Sequence, residues 1–228
     1  MDDYSITSLQ ESRNEWSSRL LNILTPLVVQ GFQSIFVDAV KLCTDNNEDE
    51  KYLMTFQNFI TRVPNWNSEM IEKETERIVE TSHCSYLEDL ISCVHIIHLK
   101  SLTCMRVGSK QKKIEINVPS LKDFIHKVYI NSARKLYSNV YLYEQNIESL
   151  QIQKHNREKE VIVKECILDT LRANIPVEEL LRSYLDESVE ELVEQEEKEE
   201  IISREPIIEE KSNEEKEKEK EQEKVSTP

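Results

Sequence analysis

Six side chains able to bind a metal or act as nucleophiles crowd into 22 residues: His83, Cys84, Cys93, His95, His98 and Cys104. Zinc is the first chemistry such a set suggests, since imidazole and thiolate are its usual ligands. The spacing argues against it. There is no C-x2-C pair, and structural zinc sites usually combine one close pair with another. His95 and His98, three apart on a helix, could share a ligand. Cys93 and Cys104 lie eleven apart, about 16 Å along an axis that rises about 1.5 Å per residue. A thiol enzyme pairing Cys with His needs an electropositive setting such as a helix N-terminus, and these residues fall mid-helix among apolar neighbours. They read as packed core residues, so no catalytic, cofactor-binding or metal-ligating residue is assigned.

Other catalytic designs fare no better. The chain contains two glycines, Gly31 and Gly108, so neither a GxxxxGK[ST] phosphate loop nor a GxGxxG dinucleotide turn can be written. Glu88 and Asp89 form an acidic pair, but at the start of a helical pattern, where carboxylates favour the helix dipole. Tyr137, Tyr141 and Tyr143 make an aromatic helix end of the kind that either buries its rings or forms an interface core. The chain reads as non-enzymatic.

Charge is the more informative signal. The formal net charge is −15. Residues 186–228 carry 18 acids against 7 bases, a net of −11. That segment has no aromatic residue and cannot bury enough apolar surface to offset the entropy of ordering. It is expected to be a disordered acidic tail following a single helical domain over residues 1–185. Between Lys100 and Lys135, nine bases face only Glu115 and Asp123, a net of +7. This basic belt, with Arg106, Lys110, Lys112, Lys113, Lys122, Lys127, Arg134 and Lys135, is the candidate interaction site. Its RVGSKQKK connection puts cations on a segment able to reach phosphates or an acidic protein surface. The overall acidity disfavours nucleic acid relative to a protein partner, and the acidic tail itself is a competitor for the belt.

Nothing in the sequence points to export or to a membrane span. The start, MDDYSITSLQES, lacks the basic and apolar regions of a secretory signal. The most apolar run, LLNILTPLVV, is short of the roughly 18 residues a span needs and is interrupted by Asn22 and Pro26. Five scattered cysteines without framework spacing fit a reducing interior.

Helical periodicity runs through most of the chain. Ser8 or Ser12 caps a first helix that reaches Lys41 or Thr44, with a kink or break expected before Pro26. DNNEDE, residues 45–50, is a loop. Tyr52, Leu53, Phe56, Phe59, Ile60 and Val63 form the next stripe, stopped by Pro64. Asn67 caps a third helix, and Ser85 opens a fourth, apolar on most sides and so expected at the centre of the bundle. Gly108 is placed to end it. IEINV, residues 114–118, alternates as a strand would. Ser120, with Asp123 at the acidic position of a capping box, opens another helix. A long helix starts near Ser149 and stops at Pro176, and a short one runs from Val177 to about Leu185. The expected fold is an all-α, irregular bundle of six to seven helices with one short extended segment.

Three stretches point further: YLMTFQNFITRVPNWN, CSYLEDLISCVHIIHLKSLTCMRVGSKQKKIEINVPSLKDFIHKVYINSARKLYSNVYLYE, and LQIQKHNREKEVIVKECILDTLRANIPVEELLRSYLDE. As a set they resemble an uncharacterised helical protein family of the nucleocytoplasmic large DNA viruses, the giant viruses. The resemblance covers residues 8–187, rests on whole segments and carries over no functional residue. It implies a viral protein of the host cytoplasm, in the particle or at its assembly site. The expected function is that of a structural or interaction protein binding viral or other protein partners through the basic connection and the tail. The alternative is an accessory factor of viral replication or transcription that uses the 100–135 belt on nucleic acid.

Overall fold

Apolar residues recurring every three or four positions need a helical neighbour to cover them, and the computed structural model shows how they find one. It describes residues 3–103, 118–178 and 180–182. Six α-helices are formed there: α1 (Asp3–Asp45), α2 (Tyr52–Thr61), α3 (Ser68–Ser82), α4 (Leu87–Thr103), α5 (Leu121–Ser138) and α6 (Ser149–Ala173). Short 3₁₀ turns at Asp49–Lys51, Val63–Asn65 and Val140–Tyr143 link them. The described residues contain no strand, and the fold is all-α. Residues 114–117 of the expected extended segment, Gly108 and the acidic tail lie outside the described residues.

The chain divides into two units, Met1–Val107 with Glu115–Ile175, and Gly108–Ile114 with Pro176–Pro228. In the second, the described residues after Pro176 are helical, with Leu180 N–H donating to Pro176 O at 3.1 Å. All that follows concerns the first unit.

Pro26 does not interrupt α1. The helix starts before either expected cap and continues through the proline to Asp45. Pro26 and Asn22 both lie on the exposed side, so the carbonyl that loses its i+4 donor faces water. Asn47, at φ 55°, ends the helix. Asn47 N–H donates to Thr44 O at 3.1 Å and Glu48 N–H to Cys43 O at 2.8 Å, the paired bonds of a Schellman motif. Over Thr7–Asp45, α1 is long and apolar enough by length and composition to cross a membrane. This corrects the expectation that no segment would be. Its apolar side here packs on protein, burying Leu20, Leu24, Val28, Phe32, Phe36 and Ala39.

The centre also differs from the sequence expectation. It is α1, packed against α2, α3, α4 and α6, that runs through the core, with α5 touching the same four neighbours from the other side. The outer side of α4 is only half-buried from Ile96 to His98. The expected caps of α3 and α5 form. Asn67 accepts from Met70 N–H at 2.8 Å. Ser120 Oγ accepts from Asp123 N–H at 3.2 Å and donates to the Asp123 carboxylate at 2.7 Å.

Gly31, in the middle of α1, lets three helices meet. Tyr129 of α5 brings its hydroxyl against the Gly31 backbone and donates it to Glu74 of α3. Arg77 holds the same carboxylate through Nε at 2.9 Å and Nη2 at 2.6 Å. It also donates to Leu27 O of α1 at 2.9 Å.

Candidate functional site

Five cations of the predicted belt fall on described residues: Lys100 in the last turn of α4, and four on α5, whose amphipathic spacing turns Phe124, Ile125, Val128, Ala133 and Leu136 inward. Lys122 Nζ lies 2.5 Å from Glu72 on α3. Lys127 Nζ donates to Asn174 Oδ1 at 3.0 Å. Lys135 Nζ lies 3.2 Å from Asp169 and 3.4 Å from Glu165 on α6. These three bind α5 to its own neighbours. Arg134 is exposed and has no ion-pair partner among the described residues. Arg106, Lys110, Lys112 and Lys113 lie outside the described residues.

Arg134 lines a cleft of about 320 Å³ between α2 and α5, together with Ile60, Thr61, Pro64, Ile130, Ala133 and Tyr137. The cleft is mostly apolar, and Tyr137 stands over it 48 % exposed. Gln57 Nε2 donates to Tyr137 O at 3.1 Å and fixes this end of α5 on α2. A rigid aromatic, a guanidinium and an apolar slot are the combination that dominates protein interfaces. The tyrosine cluster is thus divided. Tyr141 donates to Glu158 at 2.8 Å, and Tyr143 is buried among Phe36 and Phe56.

The histidines of α4 are committed to packing. His95 Nδ1 lies 2.8 Å from Ile91 O, so Nδ1 carries the proton, and Nε2 receives Asn174 Nδ2 at 3.4 Å. His98 Nε2 meets Ser17 Oγ of α1 at 3.1 Å. Burial holds both rings below the usual histidine pKa, with Lys127 adding to the effect at His95 and Arg13 at His98. A depressed folded-state pKa gives stability that is present above the unfolded value and lost as pH falls. The urea midpoint should therefore drop as pH is lowered below 6.5, and His95→Gln should flatten that drop. Cys93 is half-buried and Cys84 buried, and Cys104 lies outside the described residues.

Lys159 and His155 on α6 were not singled out in the sequence. They stand in the polar run QKHNREKE, residues 153–160, yet Lys159 is 6 % exposed and His155 5 %. Both lie at i, i+4 on the stripe that continues through Val163 and Cys166 into the core, and that register was the available signal. Lys159 Nζ sits 4.5 Å from the centre of the Tyr143 ring. Desolvation of an ammonium costs several kcal/mol, of which a cation–π contact returns about 2 kcal/mol or less. Burial accordingly lowers the Lys159 pKa. Lys159→Met should stabilise the fold by about 1–2 kcal/mol at neutral pH. That advantage should shrink as pH rises toward 10.5, the ordinary lysine value, where the wild-type amine loses its charge in both states. Urea midpoints of the two proteins across this range would show it.

No curated protein and no solved structure matches the chain. Residues 6–144, from the first helix to the turn after α5, match the model of a family of unknown function, DUF5764, and the chain belongs to that family.

Proposed function

We propose that the protein is a non-enzymatic interaction protein that docks an acidic segment of a partner protein in the α2/α5 cleft. An apolar side chain of the partner fills the slot beside Tyr137, and a neighbouring carboxylate pairs with Arg134. The observation carrying this reading is the division of labour on α5: Lys122, Lys127 and Lys135 are engaged internally, while Arg134 stands uncompensated beside a half-exposed aromatic over an apolar cleft. Lys122 and Lys135, already held by carboxylates, gain little by neutralising phosphates, which weighs against the nucleic-acid alternative at these two positions. The cleft residues fall within the family match. The resemblance of the quoted segments to a giant-virus family supports a setting in the virus particle or its assembly site in the host cytoplasm.

Affinity capture from the producing cell tests the docking. Arg134→Glu and Tyr137→Ala should each reduce recovery of the partner by about tenfold or more, while leaving stability within about 0.5 kcal/mol of wild type. Lys73→Ala, on α3, serves as the neutral control. Salt-sensitive retention on nucleic acid that ignores Tyr137→Ala would favour the accessory-factor reading. Enrichment in washed particles bears on the viral setting separately.

A further inference from the structure

Two side chains on one face of α6, His155 and Lys159, carry a donor with no protein acceptor among the described residues. Gln151 Nε2 lies 2.8 Å from His155 Nε2. An amide nitrogen only donates, so Nε2 accepts and the neutral ring carries its proton on Nδ1. That Nδ1 is buried and makes no hydrogen bond among the described residues. One helical turn later Lys159 is buried too, with the Tyr143 ring below it and no carboxylate within ion-pair reach among the described residues. Buried polar groups are ordinarily satisfied, and both of these need the same thing, an acceptor.

The two residues line a cleft of about 700 Å³ between α1, the segment from Leu142 to Ile147, and α6, within the size range of small-molecule sites. Its other charges limit the occupant. Glu160 is held by Arg157 at 3.0 Å, and Glu144 is exposed. A dianion would bring two charges to a cleft whose lining offers one cation, Lys159, with the Glu144 carboxylate beside it. One ammonium and one neutral N–H instead match the two oxygens and single charge of a carboxylate. The amides of Gln33, Gln145, Asn146 and Asn156 on the walls can both donate and accept, which suits a body bearing hydroxyl or amide groups.

We propose that this cleft binds a small organic monocarboxylate, one oxygen on Lys159 Nζ and the other on His155 Nδ1–H, which a shift of the side chains around it must first open to the cleft. The site is separate from the α2/α5 cleft, and neither reading depends on the other.

Thermal unfolding of the full chain at constant ionic strength, titrated with acetate, lactate or inorganic phosphate, tests the proposal. Each response is taken as the difference between wild type and Lys159→Met, so that general salt effects cancel. Lactate and acetate should raise the wild-type midpoint saturably and leave Lys159→Met unmoved. His155→Phe should weaken the response by about tenfold. Because Lys159→Met is expected to be the more stable protein, its silence would not reflect unfolding. Equal responses in wild type and Lys159→Met, no saturable response to either carboxylate, or a larger response to phosphate would each overturn the assignment.

Discussion

Gly31→Ala should destabilise the protein by about 3 kcal/mol, although alanine is the better helix former by about 1 kcal/mol. The added methyl would overlap the Tyr129 hydroxyl and stand 2.9 Å from Glu74 Oε1 and 3.0 Å from Tyr129 Cζ. Neither side chain can yield freely. Tyr129 is fully buried against Phe32 and Trp66, and Glu74 is gripped at both oxygens by Arg77. Overpacking and loss of the hydroxyl bond therefore outweigh the propensity gain. At about 2–4 °C per kcal/mol for a chain of this size, the melting temperature should fall by about 10 °C. Tyr129→Phe in the same chain should recover part of the loss by removing the overlapping oxygen. A double-mutant cycle showing simple additivity would refute the steric explanation.

Glu74→Ala should cost about 2–3 kcal/mol, because it orphans two groups at once. Arg77 would keep only neutral acceptors, Leu27 O at 2.9 Å and Gln30 Oε1 at 3.1 Å, and the buried Tyr129 hydroxyl would lose its acceptor. The side chains of Glu74 and Arg77 are 18 % and 31 % exposed, so water recovers part of the loss and the lower end of that range is favoured. The same contact shapes the alkaline limit. Burial first, and then the neighbouring Glu74 charge, raises the Tyr129 pKa well above 10.0. A raised folded-state value gives stability that is complete below the unfolded pKa and lost as pH climbs past it. The denaturation midpoint should thus decline above pH 10, with Tyr143, raised by burial alone, contributing in the same direction. In the Glu74→Ala background the decline should be shallower; an unchanged slope would show that burial accounts for the whole shift at Tyr129.

The helices were legible because local chemistry and periodicity agreed. Asn67 and Ser120 make the bonds their positions predicted, and the stripes from Tyr52 to Val63 and from Phe124 to Leu136 are the buried faces. The break allowed for at Pro26 does not occur, because a proline's effect depends on which way it faces, and Pro26 is on the exposed side of α1. The apolar density of α4 suggested a central helix, but centrality is set by how many neighbours a helix meets, and α1 reaches more of them by its length. The site was legible only in part. Charge counting located α5, yet it could not separate Lys122 and Lys135, whose partners come from residues 50 positions before and 34 after, from Arg134. Gly31 was visible as a glycine inside a helix, a residue that costs stability unless something approaches closely. What approaches it, Tyr129, is set by tertiary packing alone.

The proposed docking sets Arg134 and Tyr137 against a protein partner. Its most direct test is photocrosslinking in the producing cell with Tyr137→p-benzoylphenylalanine, comparing chains with and without Arg134→Glu. The docking reading predicts a discrete, nuclease-resistant protein adduct that is lost on the charge reversal. An adduct to nucleic acid, or a protein adduct indifferent to Arg134→Glu, would contradict it.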